Sequence, residues 1–112
     1  MPWLKVEDCP DYQGVNWIHP YFQCEVAKYV EAAKTNREVR ALVVFGSITT
    51  DRCHAGSDID ICVVGDKYRT FVPPLNSFIP CDAVWIDGLD NTSDLFQTIK
   101  ERGIVVYETV PS

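Results

Sequence analysis

A chain of 112 residues, 46% of them hydrophobic, carries enough apolar surface for one core and not for two. With 16 acidic against 10 basic residues it bears a net charge of −6, which repels phosphate backbones and argues against a long nucleic acid as partner. The longest apolar run is far short of a membrane span, and Met1 to Pro10 mixes charges with apolar residues, unlike a signal peptide.

Residues 1–19 combine turn formers (Pro10, Gly14, Asn16) with Trp3, Trp17 and Ile18, and are expected to form an irregular arm packed on a domain spanning 20–112. Pro20 suits a first helical position, and Phe22, Val26, Tyr29, Val30 and Ala33 recur at helical spacing, which predicts a helix to about Asn36. Its opposite face (Glu25, Lys28, Glu31, Lys34, Arg37) reads as solvated. Ala41 to Phe45 reads as a buried strand, ended by Gly46-Ser47, with a short helix to about Cys53. Asp58 to Val64 is a second strand. Residues 66–80 hold Pro73, Pro74 and Pro80 and read as a loop. Cys81 to Ile86 is a third strand, with Trp85 facing away from the side that Asp82 would share with Val84 and Ile86.

A last helix is expected from about Thr92 to Arg102, capped by Thr92 or Asn91, with Asp94 in its first turn, Lys100 and Arg102 in its last, and Gly103 as its stop. Ile104 to Tyr107 adds a short strand. The order predicts an α/β domain, a small mixed β-sheet with helices packed against it.

Cysteines stand at 9, 24, 53, 62 and 81, an odd number without a CxxC pair. They are expected to be reduced thiols in a cytoplasmic protein, with Cys62 a small buried hydrophobe. A zinc site using Cys53 and His54 matches no ligand spacing. His54 reads as a solvated loop residue and His19 as a neighbour of the helix cap.

The chemistry concentrates between Phe45 and Val64. Side chains alternate along a strand, so Asp58 and Asp60 share one face, about 6.6 Å apart along it, while Ile59, Ile61 and Val63 face a core. Two carboxylates so close repel each other, and a divalent cation removes the repulsion. Upstream, Gly46 lets backbone approach a phosphate, and a helix beginning at Ser47 offers free N–H groups. Each feature alone reads as a strand-end acid pair or a tight capped turn; the two on neighbouring apolar strands point to a metal–triphosphate site.

Phe45-Gly46-Ser47, ten residues, then Asp58-Ile59-Asp60-Ile61 resembles the signature of the nucleotidyltransferase superfamily related to DNA polymerase beta, particularly its minimal stand-alone members. Ser57 completes the common Ser-Asp-Ile-Asp form. Ile99 to Glu108 also looks like the end of minimal members, so the likeness covers about residues 20 to 108, and residues 1–19 match nothing in the pattern. The resemblance implies a nucleotidyltransferase fold and a third carboxylate on a following strand, for which Asp82 is the first choice and Asp87 the rival. It implies Mg²⁺ or Mn²⁺ on Asp58, Asp60 and Asp82, and the phosphates of ATP or another nucleoside triphosphate held by Gly46, Ser47, Thr49, Arg52 and Ser57. The chain departs from the minimal pattern after Gly-Ser, where Thr50 and Asp51 replace the usual arginine and glycine.

The expected activity is transfer of a nucleoside monophosphate, AMP first among them, onto an acceptor hydroxyl. Larger relatives add domains that select the acceptor, for which 112 residues leave almost no room. The acceptor site is therefore expected from a partner, from self-association or from the acceptor itself, with a protein acceptor fitting best. The resemblance further implies an antitoxin role toward a HEPN-type toxin. The alternative is a binding module that neutralises a partner by contact, with weak or no catalysis.

Overall fold

A computed structural model describes residues 3–36, 39–46, 48, 58–65, 81–86 and 92–109. Among them stand two α-helices, α1 (Pro20–Lys34) and α2 (Asp94–Arg102), and four strands, β1 (Val39–Phe45), β2 (Ile59–Gly65), β3 (Cys81–Trp85) and β4 (Ile104–Glu108). The strands form one mixed sheet in the order β3-β2-β1-β4. β1 runs antiparallel to both β2 and β4, and β2 runs parallel to β3. The predicted short helix after Gly46 and the loop at 66–80 lie outside the described residues.

The two faces of the sheet carry different cores. Leu42 and Val44 of β1 alternate with Ile59, Ile61 and Val63 of β2 in one cluster under α1, which contributes Phe22, Val26 and Tyr29. The opposite face holds a smaller cluster of Phe45, Cys62 and Ile99, the last from α2. The period-two pattern of β1 and β2 thus separates two hydrophobic layers rather than core from water. Trp85 joins the α1 side, while Val84 and Ile86 join the α2 side, as the alternation along β3 requires.

Helix ends follow local chemistry. Pro20 opens α1, and His19 is its N-cap, Nδ1 accepting from the Tyr21 N–H at 3.1 Å. α2 is capped by Ser93, whose hydroxyl accepts from Phe96 N–H at 3.1 Å, and not by Thr92 or Asn91; Ser93 lies three residues before the amide that needs a partner. Gly103 ends α2 with extended backbone (φ −67°). It is glycine for space: a Cβ there would run into Val43 Cγ1 and the Ile99 carbonyl. One residue therefore joins α2 to β4.

The charged face of α1 is wetter at its C-terminal half than along its length. Glu31 and Lys34 pair at 3.2 Å in the open, but Glu25 is buried and pairs with Lys28 at 2.8 Å. Lys28, one helical turn away, offsets the cost of burying that carboxylate.

The arm is clamped to α1 by polar and covalent contacts. Gln23 is fully buried, and its carboxamide serves three backbone groups. Oε1 accepts from Val6 N–H at 2.7 Å, and Nε2 donates to the carbonyls of Leu4 and Ile18 at 3.0 Å each. Cys9 and Cys24 are joined by a disulfide, contrary to the five reduced thiols expected from the sequence. Nothing in the spacing of 15 residues announces this pair; it follows from the Gln23 clamp, which lays the arm beside the first turns of α1. Trp3 and Trp17, expected to pack, are 39% and 49% exposed, with Trp3 meeting the His19 ring edge-on at 4.6 Å.

Gln23→Leu keeps the volume but removes the partner of one buried and two partly buried backbone groups. It is expected to lower stability by about 2 kcal/mol, measured by chemical denaturation under non-reducing conditions.

Candidate functional site

At the end of β1, Phe45 and Asp60 are direct cross-strand partners. The next residue, Gly46, turns the chain with φ +87°, a conformation that favours glycine. A Cβ at Gly46 would collide with Asp60 Oδ2, with Asp60 Cγ only 3.3 Å away. Two constraints thus require glycine here, the left-handed turn and the carboxylate lying against its Cα. The corner is pinned on both sides, Phe45 in the α2-side cluster and Ile48 in the α1-side core.

Asp58 precedes β2 and is exposed; Asp60 is half-buried; Cys62, next on the same face, is fully buried beneath α2. Ile59 and Ile61 anchor the other side of the strand in the α1 core. The acid-bearing edge therefore grades from water into a dry layer within two turns of the pleat.

β3 lies beside β2, and Asp82 is the register partner of Asp60. Two strands and a corner thus converge in backbone position on Asp60, with Phe45 on one side and Asp82 on the other. The Asp82 side chain lies outside the described residues, as do Ser47, Thr49, Arg52 and Ser57, the departures Thr50 and Asp51, the rival Asp87, and Cys53 with His54. Among the described residues no group of three His, Cys, Asp or Glu side chains stands ready for a metal. The carboxylates of Asp58 and Asp60 are hard oxygen donors of the kind that suits magnesium or manganese, and strand register sets the backbone of Asp82 beside Asp60.

Farther along the same face, α2 leaves an apolar groove of about 280 Å³ over β1 and β2, lined by Val43, Cys62, Val64, Phe96 and Ile99 with Lys100 at α2. Burial pushes the Cys62 thiol up from about 9 to about 11. It also raises Tyr12, whose hydroxyl donates to the Gln23 carbonyl at 3.0 Å. The contact between Gly46 and the Asp60 carboxylate is invisible in the sequence, since it depends on how β1 and β2 are registered.

The family model of polymerase beta nucleotidyltransferases matches residues 27–111, well over half of the chain. The small mixed sheet with its two helices is consistent with that fold. The chain belongs to this family, and at superfamily level its chemistry is nucleotidyl transfer. The match starts inside α1 and leaves the arm out. No curated protein matches the chain. Among the described residues no helix is long and apolar enough to cross a membrane.

Gly46→Ala is expected to cost about 2 kcal/mol from the positive φ and the collision, read by chemical denaturation. In combination with Asp60→Ala the collision disappears and the φ penalty stays, so a double-mutant cycle gives a favourable coupling. Cys62 and Tyr12 both hold their protons more tightly folded than unfolded. Their contribution is full below pH 9 and is lost as pH rises, for Cys62 through about 11. Cys62→Val is expected to flatten the fall in stability between pH 9 and 11, followed by denaturation across that range.

Proposed function

We propose that this protein transfers a nucleoside monophosphate, AMP first among the choices, from a nucleoside triphosphate to a hydroxyl on a protein. The observation that carries this reading is the meeting of the Gly46 corner with the Asp60 carboxylate, with Asp82 as the cross-strand neighbour of Asp60. The bare glycine lets the Asp60 carboxylate lie close against the end of β1, where it can face a metal-bound triphosphate. The acidic balance of the chain supports a protein acceptor over a nucleic acid.

In this mechanism Asp58 and Asp60 hold the metal–triphosphate, and Asp82 completes the carboxylate set and orients the acceptor hydroxyl. Bound magnesium supplies charge neutralisation on the phosphates and acidifies the acceptor hydroxyl. Ser47 and the backbone that follows, with Thr49, Arg52 and Ser57, hold the outer phosphates. The acceptor oxygen attacks the α-phosphorus in line, its proton passing to a carboxylate, and pyrophosphate departs. Half-burial of Asp60 strengthens its hold on positive charge compared with exposed Asp58, because fewer waters compete. Catalysis is then chiefly alignment and charge neutralisation.

A second reading has one observation in its favour, the replacement of the usual arginine and glycine by Thr50 and Asp51. In it the domain neutralises a partner, a HEPN-type toxin in the antitoxin version, by contact alone. Incubation of the partner with α-labelled triphosphate separates the two, since only the enzyme leaves label on it.

Asp58→Asn and Asp60→Asn are each expected to lower metal-dependent transfer by at least about a hundredfold with unchanged thermal unfolding. Label transfer undiminished in both variants removes this mechanism.

A further inference from the structure

The disulfide lies outside the candidate site and outside the stretch matched by the family model, whose first residue is 27. Its position in the arm is uneven. From residue 12 onward the arm is held by the core: Tyr12 packs on it, Val15 and Ile18 are buried, and Gly14 fits against Val105 and Ile104 of β4. Across residues 3–11 the one buried side chain is Cys9. Leu4, Glu7, Asp8, Pro10 and Asp11 are exposed, Lys5 and Val6 are half-buried, and the stretch meets the rest of the protein at the Gln23 carboxamide, at Asn16 and at the edge of His19.

We propose that Cys9 and Cys24 form a reversible redox latch that fixes residues 3–11 on α1 when oxidised and frees them when reduced by a dithiol. The proposal stands apart from the transferase reading and survives its failure.

The two sulfurs are unequally placed. Cys9 is 4% exposed, whereas Cys24 is half-buried. A reductant thiolate therefore reaches the bond at Cys24 Sγ, forms a mixed disulfide there, and expels Cys9 as a thiolate that takes up a proton. The second thiol of the reductant displaces Cys24, which is protonated in turn. Two electrons and two protons have passed to the protein, and the reductant has closed into its own disulfide.

Cys62 does not enter this exchange. It lies under α2, across the sheet from α1, and its burial keeps it in the thiol form. In the reduced state Tyr12, Val15 and Ile18 stay packed on the core and keep the freed segment tethered close to α1. Cys9 therefore meets Cys24 again intramolecularly, at high effective concentration, and the bond re-forms. Because the core clusters under α1 and α2 draw nothing from residues 3–11, opening is local.

The test uses the full chain, equilibrated in oxidised-to-reduced dithiothreitol buffers, a dithiol couple. Alkylation with intact-mass analysis counts free thiols, and hydrogen exchange by mass spectrometry follows each segment. Moving from oxidised to reduced buffer is expected to expose two more alkylatable cysteines, mapped to 9 and 24. Amides of residues 3–11 are expected to exchange at least about tenfold faster, with those of β1 and β2 unchanged. Cys9→Ser is expected to behave as the reduced form in both buffers. Three results overturn the proposal: Cys9 and Cys24 alkylated after full oxidation, equal exchange of 3–11 in the two states, or loss of protection throughout the reduced wild-type domain, which makes the bond a structural staple. If Cys9→Ser fails to fold, that also identifies a staple.

Discussion

The Asp60 carboxylate lies against the bare Cα of Gly46, and the site is arranged around that contact. It is possible because β1 ends in a left-handed turn and because the antiparallel register sets Phe45 beside Asp60. Any side chain at position 46 meets the carboxylate. Phe45 and Ile48 commit the chain to opposite cores on either side of the turn, so hydrophobic burial pins the corner from both sides. A family defined by nucleotidyl transfer thus appears here with a glycine that serves backbone shape and carboxylate placement together.

The sheet acts as a partition. Its α1 side is a deep core built from long apolar residues, and its α2 side is thin, with Phe45, Cys62 and Ile99 as its buried members. The acids sit on the thin side. That arrangement lets Asp58 stay in water while Cys62, four residues later, is dry. Among the described residues the larger hydrophobic cluster lies on the face away from Asp58 and Asp60, so carboxylates on the other face do not interrupt it.

Much of this was legible in the sequence because the periodicities were strong. The helix from Pro20, the apolar run at Ala41–Phe45 and the alternation from Asp58 each carry an unambiguous repeat, and the Gly-Ser and Asp-x-Asp pair identified the family that residues 27–111 match. Short-range capping was less legible: three consecutive residues from Asn91 to Ser93 all have capping side chains, and only the hydrogen bond to Phe96 selects Ser93. The disulfide was not legible at all, because Cys9 and Cys24 are brought together by Gln23, a residue whose pattern in the helix is merely polar. The burial of Glu25 was not legible either, since its helical spacing places it with the charged residues Lys28, Glu31 and Lys34. The Gly46–Asp60 contact needed strand register, which alternation alone does not supply.

Between Arg102 and Ile104 there is a single residue, and its Cα is wedged against Val43 and the last turn of α2. A joint of that kind has no slack. Helix α2 and strand β4 must shift as one lever, and β4 is hydrogen-bonded to β1, whose far end is the glycine corner. Helix α2 is thereby tied, through β4 and then β1, to the turn at which Gly46 meets the Asp60 carboxylate.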